Sequence, residues 1–185
     1  MTGEALKEAA MLTMRAAKRR MEKKGLIEMY FVYVLPDGSV EREDVDGSVV
    51  NSPEAKSIQF KDAGQRARQI GAEAVIYVSD AWFLDSRGQE YEANIAALGS
   101  EVAREIADEV GVVEAARLGL GKALEVIQVV LQTPNWNYSL IQEYERLGAE
   151  RRYIRFIGEP HEFDDSDGRA KASGRGLVFF RGGAE

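Results

Sequence analysis

The chain lacks the residue types on which several common kinds of site depend. It has no cysteine and one histidine among its 185 residues. Without cysteine there are no disulfides, no thiol nucleophiles and no thiolate metal sites. One histidine leaves little room for a histidine-based catalytic triad or for a zinc site of several histidines within one subunit. We therefore predict a protein of a reducing compartment, the cytoplasm.

Long apolar runs and an excess of positive charge are also missing. No run approaches the ~18 apolar residues that a membrane span requires, and the amino terminus is charged from Glu4 onward, unlike a secretory signal. The net charge is −7, whereas nucleic-acid binding relies on clustered Lys and Arg. The basic residues between Arg15 and Lys24 are a local exception. We predict that they complement the negative end of a helix dipole, and a nucleic-acid accessory role is the weakest alternative.

What is present suffices for one folded domain. The chain is 45% hydrophobic and 30% charged, which fits a single globular domain over residues 1–185. Apolar residues recur every three or four positions from Leu6 to Met21, which predicts an amphipathic helix within residues 1–25. Thr2 is its expected cap, and Gly25 its expected end.

Apolar segments toward both ends of the chain predict strands, with helices between them. A Pro-Asp-Gly turn predicts a hairpin over residues 29–43, and residues 122–133 are apolar on both faces, as in a central strand. Residues 136–147 fit either a helix or a strand, and we choose strand. The fold class is then α+β, one mostly antiparallel sheet covered by helices. Further expected elements are strands at 74–84, 151–157 and 176–180, a helix at 53–70, two or three short helices over 90–118, a turn at 46–49, and a mobile loop at 164–175. Ser52 is the expected cap of the helix at 53–70, and Ile58, Ala63, Ala67 and Ile70 lie close to one face of it.

The run VIYVSDAWFL, residues 75–84, places two polar residues inside a strong strand former. In a regular strand Asp80 shares a face with Ile76 and Trp82 while Ser79 faces the other way. A buried carboxylate needs a partner or has a raised pKa, so Asp80 is the one catalytic candidate. The alternative is a bulge at Ser79-Asp80 in which the polar side chains bond to nearby backbone.

We predict that Asp80 serves the fold first, with an arginine or backbone amides as its partner, and that Trp82 packs into the core beside the helix of residues 53–70. An unpaired buried carboxylate would cost several kcal/mol. The candidate partners are Arg66, Arg68, Arg146 and Arg155.

The densest set of oxygen ligands lies in GEPHEFDDSDG, residues 158–168. Carboxylates suit a hard cation such as Mg²⁺ or Ca²⁺, but the run matches a calcium loop only in its DxDG portion. The alternative is a solvated hairpin tip, because acidic residues favour turns. The candidate metal ligands are Glu159, His161, Asp164, Asp165 and Asp167.

One stretch resembles known proteins. AEAVIYVSDAW, residues 72–82, is similar to an element of a broad set of uncharacterised bacterial and phage proteins, in which a helix leads into a strand ending in Val-Ser-acid-Ala-Trp. The counterparts here are Val78, Ser79, Asp80, Ala81 and Trp82, with aspartate where glutamate is usual. The resemblance covers residues 52–84 and 122–157, whereas residues 85–121 depart from it. It implies a fold-level grouping and no chemistry.

These observations favour a non-catalytic binding or assembly protein that forms a homo-oligomer through its apolar strands and its Met-bearing first helix. The alternative is a hydrolase that uses a divalent cation with Asp80 or with the acidic cluster from Glu159 to Asp167. No cofactor other than such a cation is expected.

Overall fold

The computed structural model describes residues 1–45, 53–148 and 153–164, and it confirms the α+β fold, with helices packed on an antiparallel sheet. One helix opens this part of the chain, strands close it, and the other helices lie between strands. In chain order the elements are α1 (Gly3–Lys24), β1 (Tyr30–Val34), β2 (Val40–Asp44), α2 (Pro53–Ile70), β3 (Ala74–Asp85), α3 (Gln89–Leu98), α4 (Ser100–Val110), α5 (Val112–Arg117), β4 (Lys122–Gln132), β5 (Asn137–Leu147), β6 (Tyr153–Phe156) and β7 (His161–Asp164).

Every strand pairing in the sheet is antiparallel, and the strand order is β2-β1-β3-β4-β5-β6, with β7 also paired to β5. The long strands β3 and β4 lie at the centre, which confirms the prediction of a central strand at 122–133. The ambiguous segment 136–147 is strand β5, as chosen from the sequence. Its alternating aromatic and aliphatic residues pair with β4 over eight positions from Asn137 to Tyr144.

Helix α1 covers one face of the sheet, which we call the α1 face. The Thr2 hydroxyl accepts a hydrogen bond from the Ala5 amide at 3.3 Å, and Gly25 ends the helix with a φ of 71°. Both predicted helix ends are confirmed. The predicted apolar stripe is buried against the sheet, because residues three or four apart share one side of a helix. It consists of Leu6, Ala10, Met14, Ala17 and Met21.

Helix α2 covers the opposite face. Ala63 and Ala67 are buried there against Phe31, Val75 and other residues of β1 and β3. Ile58, which the sequence pattern placed on the same side of the helix, is exposed. Phe60 packs against this core instead, with its ring edge-on to the ring of Tyr77.

Three short helices, α3 to α5, form a helical lobe (residues 89–117) inserted between β3 and β4. The sequence predicted two or three helices here. Their core is small: Ala103, Ala115 and Leu120 are buried, with Leu84 from the end of β3 packed against them. The lobe therefore lies at the far end of the central hairpin from the strand segments under α1.

The outer strand beyond β5 is interrupted. Strands β6 and β7 both run antiparallel to β5, and their registers differ by two residues because Gly158-Glu159-Pro160 loops out between them. The buried Gln142 amide donates to the backbone oxygens of Ile157 at 3.0 Å and of Gly158 at 3.4 Å. This side chain thus binds carbonyl groups that the interruption leaves without a strand partner.

Part of the predicted polar loop is strand. The expected loop at 164–175 begins with Asp164, which instead ends β7. Four predictions concern residues outside the described ranges. They are the rest of that loop, the turn at 46–49, Ser52 as a helix cap and the strand at 176–180.

We expect Met14→Ala to lower the free energy of unfolding by about 2–4 kcal/mol, because it leaves a cavity between α1 and the sheet. The Met14 side chain is 2% exposed, whereas Met11 on the same helix is 37% exposed. Met11→Ala is therefore the matched control and is expected to change stability by less than about 0.5 kcal/mol. Urea denaturation of dilute protein measures both, and equal losses would contradict the assigned orientation of α1.

Candidate functional site

Strand β3 is uninterrupted at Ser79-Asp80. Its pairing with β4 keeps one register from Val75 opposite Gln132 to Asp85 opposite Lys122, so the bulge considered for this position is absent. Strand alternation then directs Asp80 to the α1 face and Ser79 to the opposite face. Ser79 and Asp80 therefore do not bend the strand, and their side chains lie on opposite faces of the sheet.

The prediction that Trp82 packs into the core beside α2 is wrong. Trp82 is 50% exposed. Being two residues from Asp80 it lies on the α1 face, whereas α2 covers the other face of the sheet. Helix α1 ends at Lys24 and covers the apolar positions Ile76 and Val78 of β3. The Trp82 indole lies farther along β3 than these two positions.

Asp80 has the arginine partner that the sequence predicted, and the partner is Arg146. The Arg146 Nη2 atom lies 3.2 Å from Asp80 Oδ2, although β4 lies between the strands that carry the two residues. The other three candidates are placed elsewhere. Arg66 and Arg68 belong to α2 on the opposite face, and Arg155 pairs with Glu145.

Two further residues complete this group, which we call the Arg146 cluster: Asp80, Glu125, Tyr144 and Arg146. The Tyr144 hydroxyl donates to Asp80 Oδ1 at 2.5 Å and accepts from Arg146 Nη2 at 3.0 Å. Arg146 Nε donates to Glu125 Oε1 at 2.9 Å. All four side chains lie on the α1 face, as the pairing of Glu125 with both Trp82 and Tyr144 requires.

The cluster is joined to the end of α1. Arg146 Nη1 donates at 2.5 Å to the backbone oxygen of Gly25, the residue that ends the helix. A helix C-terminus carries partial negative charge and carbonyls without helical partners, which a guanidinium can satisfy. Arg146 therefore connects three elements, α1, β3 and β4, to its own strand β5.

Burial and hydrogen bonding shift the acid-base behaviour of the cluster. Burial raises the pKa of Asp80 above its ordinary value, against the opposing effects of the Tyr144 hydrogen bond and the Arg146 charge. Burial also raises the pKa of Tyr144, and donation to Asp80 raises it further. Although burial lowers the pKa of Arg146, its bond to Glu125 and the surrounding charges outweigh that effect and raise it.

Most polar groups of the cluster are hydrogen-bonded within the protein. Each of the three guanidinium nitrogens of Arg146 has an acceptor, and both carboxylate oxygens of Asp80 accept hydrogen bonds. A general acid, base or nucleophile needs a substrate atom within hydrogen-bond reach. Here Asp80 and Arg146 already bond to protein groups at each of these atoms, so the arrangement is suited to fixing α1 on the sheet.

The candidate metal ligands are not brought together in the part of the chain that the structure describes. His161 and Glu162 alternate on β7, where Glu162 accepts from the Tyr138 hydroxyl at 2.8 Å. Asp164 pairs with Lys7 at 2.5 Å, and Glu159 lies in the loop between β6 and β7. Within the described ranges no group of three His, Cys, Asp or Glu residues is placed to hold a metal ion. Asp165 and Asp167 lie outside those ranges.

Sequence reasoning missed Tyr144 and Glu125. Glu125 lies on β4 and Tyr144 on β5, at positions that strand alternation places on the α1 face. Knowing the register between the two strands would have identified both residues. The sequence alone does not supply that register, because the strands are joined by a turn whose exact span the apolar pattern leaves open.

Comparison of the chain with protein-family models, with curated proteins and with solved structures finds no match. The resemblance built on Val78 to Trp82 therefore stays a prediction. Among the described residues, none of the helices combines the length and the hydrophobicity of a membrane span.

We expect Arg146→Met to lower the free energy of unfolding by about 3 kcal/mol, because it leaves two partly buried carboxylates and the Gly25 carbonyl without their donor. Arg155→Met on the adjacent strand is the control, since the Arg155 side chain is 64% exposed and exposed ion pairs contribute less than about 1 kcal/mol. Chemical denaturation compares the two. Similar small losses for both variants would show that the Arg146 cluster does not hold the fold together.

The raised pKa of Asp80 predicts a pH dependence of stability. Between the ordinary aspartate pKa of about 3.8 and the raised value, the folded protein binds more protons than the unfolded chain, so stability falls as pH rises. In the Asp80→Asn variant the asparagine side chain does not titrate, so this contribution to the pH dependence is absent. Relative to this variant, the wild type should therefore be most stable below about pH 4 and lose that advantage as pH rises through the raised pKa.

Urea denaturation of both proteins across this pH range isolates the effect, because their other titrating groups are shared. Parallel pH profiles, or a wild type that gains on the variant with rising pH, would contradict the assigned direction.

Proposed function

We propose that the protein is non-catalytic and acts by binding another protein through its helical lobe. The observation that carries this proposal is the exposure of large apolar side chains along the lobe. Val102 and Val110 are exposed, and Ile106 between them is half-buried. Spacings of four place these three residues on one side of α4. Leu98 and Val113 in the lobe, and Leu118 directly after it, are also exposed.

An exposed apolar row of this kind marks a binding surface more often than isolated surface hydrophobics do. The lobe has little core of its own, since α3 buries no residue and α4 buries only Ala103. The three helices of the lobe therefore carry more apolar residues than they bury. A partner that covers Val102 and Val110 would account for them.

The charge of the lobe indicates the chemistry of that partner. Residues 89–117 contain seven acidic and two basic residues. An acidic rim around an apolar row is complementary to an amphipathic helix with a basic polar face, which would lay its apolar side on α4. A second copy of the lobe would bring like charges together, so a different surface is the better partner.

The hydrogen bonding of the Arg146 cluster supports a binding role over the hydrolase alternative. Both Asp80 oxygens and all three Arg146 nitrogens bond to protein groups, and the three described metal candidates are not part of any group placed to hold a metal ion. Self-association of the chain and its location in the cytoplasm are parts of the same proposal.

The test uses a synthetic amphipathic peptide of leucine and lysine as the partner, labelled for fluorescence anisotropy. We expect the full chain to bind it, and we expect Val102→Ser with Val110→Ser to weaken binding by about tenfold through lost apolar contact. Serine and valine have similar helix propensities, so the fold of α4 is retained. The control is Val40→Ser, at an exposed position of the edge strand β2. Equal affinity for wild type and the double variant would refute the lobe as the binding surface.

A further inference from the structure

Helix α1 has a second face, directed away from the sheet, that is ordered by charge. At 3.6 residues per turn, seven residues of this face fall within an arc of about 100°. All seven are exposed. From the amino end they are Glu4, Glu8, Met11, Leu12, Arg15, Arg19 and Glu22.

From Glu4 to Arg19 this outer face is acidic, then apolar, then basic, and Glu22 follows in the next turn. Met11 and Leu12 are 37% and 53% exposed and lie midway between the two acids and the two arginines. The face also forms a shallow, open depression whose lining includes Glu8, Leu12 and Arg15. An apolar centre flanked by opposite charges is the arrangement of an interface with a polar rim.

The charges of this face lack partners within the described molecule. Glu8, Arg15 and Arg19 form no ion pair with any described residue, and Glu4 has only Lys7 on its own helix, at 3.6 Å. Three other cations of α1 are directed to the protein itself: Lys7 pairs with Asp164, Lys18 donates to Gln142 and Arg20 donates to Glu28. Lys23 and Lys24 are exposed in the last turn, outside this face. Glu8, Arg15 and Arg19 are thus available to an external partner.

We infer that α1 is the self-association surface of this protein and that two copies pack their α1 helices antiparallel about a two-fold axis between Met11 and Leu12. This inference rests on the self-association included in the proposed function. The antiparallel arrangement sets Glu4 opposite Arg19 and Glu8 opposite Arg15 of the second copy, and each pair occurs twice by symmetry.

The sequence of charges selects this orientation. In a parallel pair each acid would face the same acid and each arginine the same arginine, which is repulsive. In the antiparallel pair Glu4, Glu8, Arg15 and Arg19 each meet an opposite charge, and the apolar residues meet at the axis. Glu22 lies beyond these pairs, opposite the amino-terminal end of the second helix. One face of one helix is therefore complementary to itself in a single orientation.

The contact is small. Glu4 to Arg19 spans about 22 Å of helix, and a pair of helices lies at the lower end of stable interfaces, which bury about 1,200–2,000 Å². Exposed ion pairs add orientation more than affinity. The dimer is accordingly weak and sensitive to salt.

The experiment measures self-association of the full chain by sedimentation velocity over a concentration series, at about 0.01 M and about 1 M salt, where the screening length falls from roughly 30 Å to 3 Å. We expect a dimer that weakens at high salt. Glu8→Arg and Arg15→Glu, each made alone, should weaken it by about tenfold or more, because each places like charges opposite one another at two symmetric positions.

The combined variant Glu8→Arg/Arg15→Glu restores opposite charges across the axis and should restore the dimer. An equimolar mixture of the two single variants is a stricter test. In a mixed pair the two introduced residues, one on each chain, face each other with opposite charges, and the unchanged Arg15 of one chain faces the unchanged Glu8 of the other. This mixture should form a heterodimer although neither variant self-associates. Glu109→Arg, with the same change in charge on the lobe, is the control and should leave the dimer intact.

Three outcomes would overturn the inference. A wild-type chain that stays monomeric refutes both this interface and the proposed self-association. An oligomer that neither single variant weakens leaves the proposed self-association standing and removes α1 as its surface. A monomer that binds a DNA duplex, with binding lost in Arg15→Glu and at high salt, would assign the basic half of the face to nucleic acid.

Discussion

The packing of α1 across the centre of the sheet is the contact on which the other features of the molecule depend. Five residues of one helix bury themselves on β1, β3, β4 and β5 together, so the helix orders four strands that are distant in sequence. Burial of apolar surface is the largest favourable term in such a contact. It has no direction of its own, however, and a smooth apolar stripe tolerates sliding of the helix along the sheet.

The Arg146 cluster supplies the direction. Because Arg146 binds the carbonyl at the last turn of α1 as well as carboxylates on β3 and β4, the helix can satisfy these bonds at one position only. Lys18, which donates to Gln142 and lies 4.5 Å from the ring centre of Phe156, adds a second polar contact near the same end. Apolar burial provides the stability of this layer, and the polar contacts fix its register.

Local pattern predicted the elements well and their mutual arrangement less well. The α1 stripe and its two ends were predictable, because helix periodicity and capping depend on neighbouring residues. Arg146 as the partner of Asp80 followed from the need of a buried carboxylate for a cation, with the choice among four arginines left open. Trp82 was wrongly predicted to be buried because its side chain is apolar. Whether that part of β3 is covered depends instead on where α1 ends.

The short strand β7 was missed for a related reason. His161 to Asp164 is polar and exposed, and its strand conformation comes from pairing with β5, which no local propensity reveals. The acidic residues of this region looked like a metal site because they are close in sequence. Alternation along the strand then separates the neighbours: His161 and Glu162 project to opposite faces.

The sheet also bears on how copies of the protein meet one another. Strand β2, at one side of the described sheet, is short and reads VERED, with charges at four of its five positions. At the other side the strand partner of β5 is broken by Gly158-Glu159-Pro160. Charged, short or interrupted outer strands discourage a further strand from adding in register. Ordered growth of the sheet from molecule to molecule, the first step toward fibrils, is thereby hindered at both described margins, and orderly contact between molecules is left to side chains on helices.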